Sequence, residues 1–241
     1  MQICIYDNAD QVGKAAAMLL GAQIIAKPDC VLGLATGSSP VPAYRGLIEM
    51  AQAGVVDFSR VTSFNLDEYV GIPTDHVCSY HRFMKDQLFD HVNMRPEAAH
   101  VPDGLAEDLE AEGRSYDAAI EAVGGIDLQL LGIGRNGHIG FNEPSDRFVH
   151  PCHVVELTES TIEANTRFFH SREEVPKKAI SLGIGSIMKA KRIVLIATGG
   201  DKADVIAQAV HGDITPRVQA SVLQAHPDVI FLLDRAAASK L

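Results

Sequence analysis

The chain has 241 residues, 21 Lys and Arg against 31 Asp and Glu, a formal charge of −10 and 46% apolar residues. That balance excludes a mainly disordered chain and argues against nucleic acid or an anionic membrane as partner. No apolar run reaches the ~18 residues of a membrane span and the start lacks a basic secretory signal, so a cytoplasmic location is expected.

Residues 1–6 read as a short strand. Asp7 or Asn8 caps a helix with Val12, Ala15, Ala16, Leu19 and Leu20 on its apolar side, ended by Lys27-Pro28-Asp29. Residues 31–35 form an apolar strand, the turn TGSSP follows at 36–40, and a helix carries Tyr44, Leu47, Ile48 and Met50. Residues 61–65 are the next strand, with DEYVG at 67–71 read as the loop after it. Ser79 starts a helix, and residues 105–123 spell an acidic amphipathic helix stopped by Gly124-Gly125. DLQLLGI at 127–133 is a buried strand, residues 153–157 another, and a helix runs from Thr158 to about Thr166. Residues 177–189 read as helical, 192–197 as a strand, and a helix follows Thr198-Gly199-Gly200 from Asp201 to Val210. Residues 229–233 make a last strand before a short Ala-rich C-terminal helix. Alternating strands and helices predict an α/β fold: a single domain with an open, mostly parallel, Rossmann-like sheet covered by helices on both faces.

Cys4, Cys30, Cys78 and Cys152 lack C-x-x-C spacing and read as reduced thiols, and no metal site is spelled. In open α/β sheets, ligands bind beyond the carboxyl ends of the strands. Four segments after strands carry suitable chemistry. In TGSSP, Gly37 lets the backbone approach a ligand, while Thr36, Ser38 and Ser39 add hydroxyls at a helix start. This is either a phosphate cradle or an ordinary turn. GIGRNG at 132–137 matches G-x-G-x-x-G, but Gly140 and Pro144 spoil the helix that a dinucleotide site needs. The same segment crowds Asn136, His138, Asn142 and Glu143 together, and a His beside a carboxylate is a common proton shuttle near neutral pH. Asp67-Glu68 offers further carboxylates, and Arg167 and Lys202 are cations that could join TGSSP on an anion.

With these segments together, the chain resembles the glucosamine-6-phosphate deaminase family over nearly its whole length. The resemblance is carried by LGLATGSSP (32–40), SFNLDEYVG (63–71), SYHRFM (79–84), LLGIGRNGHIGFNEP (130–144), ANTRFF (164–169), VPKKAISLGIGSIM (175–188) and LQAHPDV (223–229). It implies conversion of glucosamine 6-phosphate and water to fructose 6-phosphate and ammonia. In that scheme His138 assists ring opening, supported by Glu143 and Asn136, and Asp67 moves a proton from C2 to C1. Gly37, Ser38, Ser39, Arg167 and Lys202 hold the phosphate, and no metal or organic cofactor is implied. Many members of the family carry Asp where this chain has Asn136, so Glu143 is expected to be the main carboxylate support. The allosteric members use basic residues after NEP and a longer C-terminal tail. Here the sequence reads SDRFVHPC and ends at Leu241, so an allosteric N-acetylglucosamine 6-phosphate site is not expected and a monomer is as open as a homo-oligomer. A lactonase and a galactosamine 6-phosphate deaminase are the competing readings within the fold; a sugar-phosphate sensor without turnover and a dinucleotide enzyme are those of a different class.

Overall fold

The computed structural model describes all residues, Met1–Leu241. Strand β1 (Gln2–Tyr6) leads into helix α1 (Ala9–Ala26), where the Asn8 side chain accepts from the Gln11 N–H. Then come β2 (Val31–Leu34), α2 (Val41–Gln52), β3 (Thr62–Asn65), β4 (Asp67–Tyr69), α3 (Tyr80–Gln87) and β5 (Ala99–His100). They are followed by α4 (Leu109–Ala122), β6 (Leu128–Leu131), β7 (His153–Glu156) and α5 (Glu159–Asn165). The chain closes with β8 (Lys178–Ser181), α6 (Ile184–Met188), β9 (Arg192–Ala197), α7 (Ala203–His211) and β10 (Val229–Asp234).

Seven strands form one wholly parallel sheet in the order β1-β10-β9-β6-β2-β3-β5. Its strands are apolar on both faces, as a sheet covered on both sides requires. On β9, Ile193, Leu195 and Ala197 enter one core with Phe64, Ile206 and Phe231. Val194 and Ile196 enter the other with Leu20, Leu32 and Tyr44. From β2 the chain moves outward through β3 to β5, then returns to β6 beside β2 and proceeds through β9 to β10. The topology therefore reverses between β2 and β6, which is where such sheets bind ligands.

The single sheet expected from sequence has a companion. β4, β8 and β7 form a second, antiparallel sheet, with Asp67 opposite Ser181 and His153 opposite the same Ser181. Two expectations fall with it. DEYVG begins as a strand, not a loop. Residues 177–189 are not one helix but strand β8 and the short α6. β8 is the middle strand, bonded on both edges, with Ala179, Ile180 and Ser181 buried. That pairing overrides the helical spacing, and Gly183 stops any continuous helix by packing against the Pro151 carbonyl, where a Cβ would collide. The acidic helix begins four residues later than its sequence pattern suggested, because Asp108 caps it by accepting from the Ala111 N–H at 2.9 Å. The Ala-rich C-terminus forms turns instead of a helix. The Asp234 carboxylate accepts from both the Ala237 and the Gly199 N–H groups, tying that terminus to the loop after β9.

Candidate active site

A cleft of about 1020 Å³ lies beyond the carboxyl ends of β2, β6 and β9. Residues 36–39 after β2, 132–138 after β6 and part of the loop after β9 line it, with Asp67, Tyr80, Phe141 and residues of α5. Of the ten site residues expected from sequence, Thr36, Gly37, Ser38, Ser39, Asp67, Asn136, His138, Arg167 and Lys202 line this one cleft. Glu143 stands behind His138.

Part of the lining offers unpaired donors. Gly37 adopts φ of 91°, and the Gly37, Ser38 and Ser39 N–H groups have no backbone acceptor in the chain. Helix α2 starts at Val41 with no side-chain cap, so the serine hydroxyls are free for a ligand. Lys202 lines the same cleft, its Nζ donating to the Ile133 carbonyl at 2.8 Å. Burial lowers its pKa, and the charges of Arg135 and Arg167 add to that against the opposing pull of Asp201. The Arg167 guanidinium lies 4.7 Å from the Phe168 ring centroid.

The same cleft holds the titratable groups Asp67 and His138, with Glu143 behind the imidazole. Asp67 sits on β4 at 5% exposure, and burial, with the neighbouring Glu68 charge, pushes its pKa up to about 8. No hydrogen bond offsets that rise. His138 Nδ1 is 3.5 Å from Glu143 Oε2, a charge contact without a formed hydrogen bond. Asn136 Nδ2 donates to the same oxygen at 2.6 Å, and Asn136 Oδ1 accepts from the His138 N–H at 3.2 Å. Burial works to raise the Glu143 pKa, but His138, Thr161 and Asn136 together hold it down at about 2. Glu143 is thus the fixed carboxylate of the cluster and Asn136 its neutral bridge.

The glycines of GIGRNG also find their use. The His138 ring packs on Gly134, where any Cβ would overlap the imidazole. Gly137 takes φ of 86° against Val218. No helix follows until Glu159, so the dinucleotide geometry is absent.

The match to protein families agrees with this geometry. Residues 7–231 match the model described as glucosamine-6-phosphate isomerases/6-phosphogluconolactonase. The chain belongs to that family. A glucosamine-6-phosphate deaminase of Clostridioides difficile is 56% identical over 241 residues, covering 100% of this chain and 97% of that protein. One from Halothermothrix orenii is 52% identical, with both chains covered in full. The solved structure of a monomeric glucosamine-6-phosphate deaminase superposes with a TM-score of 0.98 at 44% identity, again covering both chains completely. The family resemblance carried by TGSSP, DEYVG and NGHIGFNEP is therefore real.

Sequence reasoning missed Tyr80 and Arg135 as members of the site and named Glu68 only as a further carboxylate. Glu68 is 2% exposed and accepts from the Tyr69, Tyr80 and His81 N–H groups and from the Ser79 hydroxyl at 2.7–3.0 Å. It pins the N-terminus of α3 to β4 and so places Tyr80 in the wall, stacked on Phe141. The signal was the Ser79 of SYHRFM, which reads as a helix cap but instead donates to Glu68. Arg135 also lines the cleft, with its Nε donating to Asp201 Oδ2 at 2.8 Å.

Proposed function

We propose that the chain, acting as one catalytic domain, is a glucosamine-6-phosphate deaminase that converts glucosamine 6-phosphate and water to fructose 6-phosphate and ammonia. The observation that carries this reading is one cleft that brings together an unpartnered buried carboxylate, a His–Glu pair and the unpaired N–H groups of residues 37–39. The phosphate lies against the N–H groups of residues 37–39, the Ser38 and Ser39 hydroxyls, Arg167 and Lys202, with Thr36 in the adjoining wall. That grip answers the −10 net charge locally: the substrate anion is held by oriented donors, not by the overall field.

His138 opens the pyranose ring, moving the anomeric hydroxyl proton to the ring oxygen. Glu143 favours the proton on Nδ1, supports the charged imidazolium and leaves Nε2 for the sugar. Asp67 then takes the C2 proton of the open-chain aldehyde, giving an enolamine, and returns a proton to C1. The resulting C2 imine adds water and releases ammonia, which leaves the C2 ketone. Asp67 must be ionised to begin. The substrate's own ammonium beside C2 lowers the pKa of the buried carboxylate and so readies the base on binding. Each positioned acid–base group of this kind contributes roughly 10²–10⁴-fold. The phosphate, remote from C2, fixes the open chain against Asp67.

The chain works as a monomer without allosteric activation, a reading supported by its likeness over full length to the monomeric deaminase. Ammonia and fructose 6-phosphate are measured with glucosamine 6-phosphate, galactosamine 6-phosphate and 6-phosphogluconolactone as substrates. Ammonia from glucosamine 6-phosphate with hyperbolic kinetics is expected. Lactone hydrolysis without ammonia would replace the reading with a lactonase, and tight sugar-phosphate binding without turnover would replace it with a sensor. Sigmoidal kinetics abolished by N-acetylglucosamine 6-phosphate would overturn the absence of allostery.

A further inference from the structure

Arg135 is exposed, lines the cleft and belongs to the loop that also supplies Ile133, the acceptor for Lys202. Its only ion pair is through Nε, which donates to Asp201 Oδ2 at 2.8 Å. A guanidinium has five donors in a planar fork, so this bond fixes the plane while leaving both terminal nitrogens without a protein partner. Asp201 sits beside Lys202 on the segment after β9, so the ion pair ties the Arg135 loop to the Lys202 segment in the cleft wall.

We infer that Arg135 is a third phosphate-binding residue, held by Asp201 through Nε so that its terminal nitrogens meet the same anion as Arg167 and Lys202. This rests on the sugar-phosphate reading above and extends it. The charges balance: three cations less the Asp201 carboxylate leave two positive charges, against a phosphate monoester of about −1.5 to −2 near neutral pH. The closeness of the cations is visible in Lys202, whose ammonium is disfavoured by both arginines and favoured by Asp201. A bound dianion relieves that repulsion. Lysine at position 135 would keep the charge but could not hold Asp201 and the phosphate in one fixed geometry.

The test titrates inorganic phosphate into the full chain by calorimetry at fixed ionic strength, alongside kcat and KM for glucosamine 6-phosphate. Arg135→Ala is expected to weaken phosphate about tenfold, as one charge-assisted contact does. KM rises in parallel and kcat stays within about twofold, because the contact is made equally in ground and transition states. Arg135→Lys recovers only part of the affinity. The double variant Arg135→Ala/Asp201→Asn keeps the loss. Phosphate affinity unchanged in Arg135→Ala overturns the inference, as does full recovery in the double variant, which would make an unpaired Asp201 the cause. A wild type that binds phosphate but releases no ammonia would sink the deaminase reading while leaving the Arg135 comparison intact.

Discussion

Two carboxylates at opposite edges of the structure have the same exposure and opposite chemistry. Asp127 precedes β6 at the amino edge of the parallel sheet, and Asp67 lies beyond the carboxyl edge; each is 5% exposed. Asp127 accepts from Lys27 and Lys191 Nζ at 2.7 Å and from the Val31 N–H at 2.8 Å. Burial works to raise its pKa, yet these partners bring it below the ordinary value. Asp67 is set deeper and has no such partners, so burial wins and carries it to about 8. Exposed area alone therefore does not decide the state of a carboxylate; the depth of its site and the supply of donors do. The first arrangement stabilises the sheet edge. In the mechanism proposed above, the second holds the base, and the substrate's ammonium supplies the partner that it lacks.

The largest expected break in this contrast comes from Asp67→Asn. Turnover should fall by about 10³-fold or more, as loss of a positioned base does, while the thermal midpoint rises because an uncompensated carboxylate is gone. Asp127→Asn should do the reverse. It should cost about 2 kcal/mol in denaturant unfolding, a figure reduced from that of a fully buried pair because Lys27 and Lys191 are half exposed, with kcat within about twofold. An Asp127 variant that loses activity at unchanged stability would erase the distinction.

A smaller effect separates Glu143 from Asn136. Glu143→Gln should lower the ring-opening rate about 10–100-fold and shift its pH profile, since Glu143 is the carboxylate held ionised at His138. Asn136→Ala removes only the neutral bridge and should shift that profile less. Equal or reversed effects, read from the pH dependence of kcat/KM, would show that the bridge and not the charge supports the imidazole. Smaller still, Gly134→Ala should displace the His138 ring and raise KM and lower kcat together without unfolding the chain.

Much of this was legible in the sequence because it lies in local chemistry. The parallel sheet followed from apolar runs such as 192–197, and the loops after β2, β6 and β9 announced themselves by Gly, Ser, His and Lys at strand ends. What was not legible depends on distant pairing. Residues 178–181 carry helical spacing but become the central strand of the small sheet, because β4 and β7 satisfy both of its edges. Asp67 was recognised as a carboxylate after a strand. Its raised pKa arises from burial in the folded chain, which no local pattern contains. Glu68 was named only as a further carboxylate, and its anchoring role was hidden for the same reason, since its donors at the start of α3 arrive from eleven to thirteen residues away.

The unfolding free energies of wild type and Asp67→Asn, compared from pH 4 to pH 9, test the central claim most directly. A group with its folded pKa raised contributes stability below its unfolded pKa and loses it as pH climbs through the folded value, here from about 4 to about 8. The wild type should therefore lose ground to the Asn variant across that window by at least about 1 kcal/mol, levelling above it. A constant difference over the whole range would contradict the account, because Asp67 would then be an ordinary carboxylate and not an unpartnered buried base.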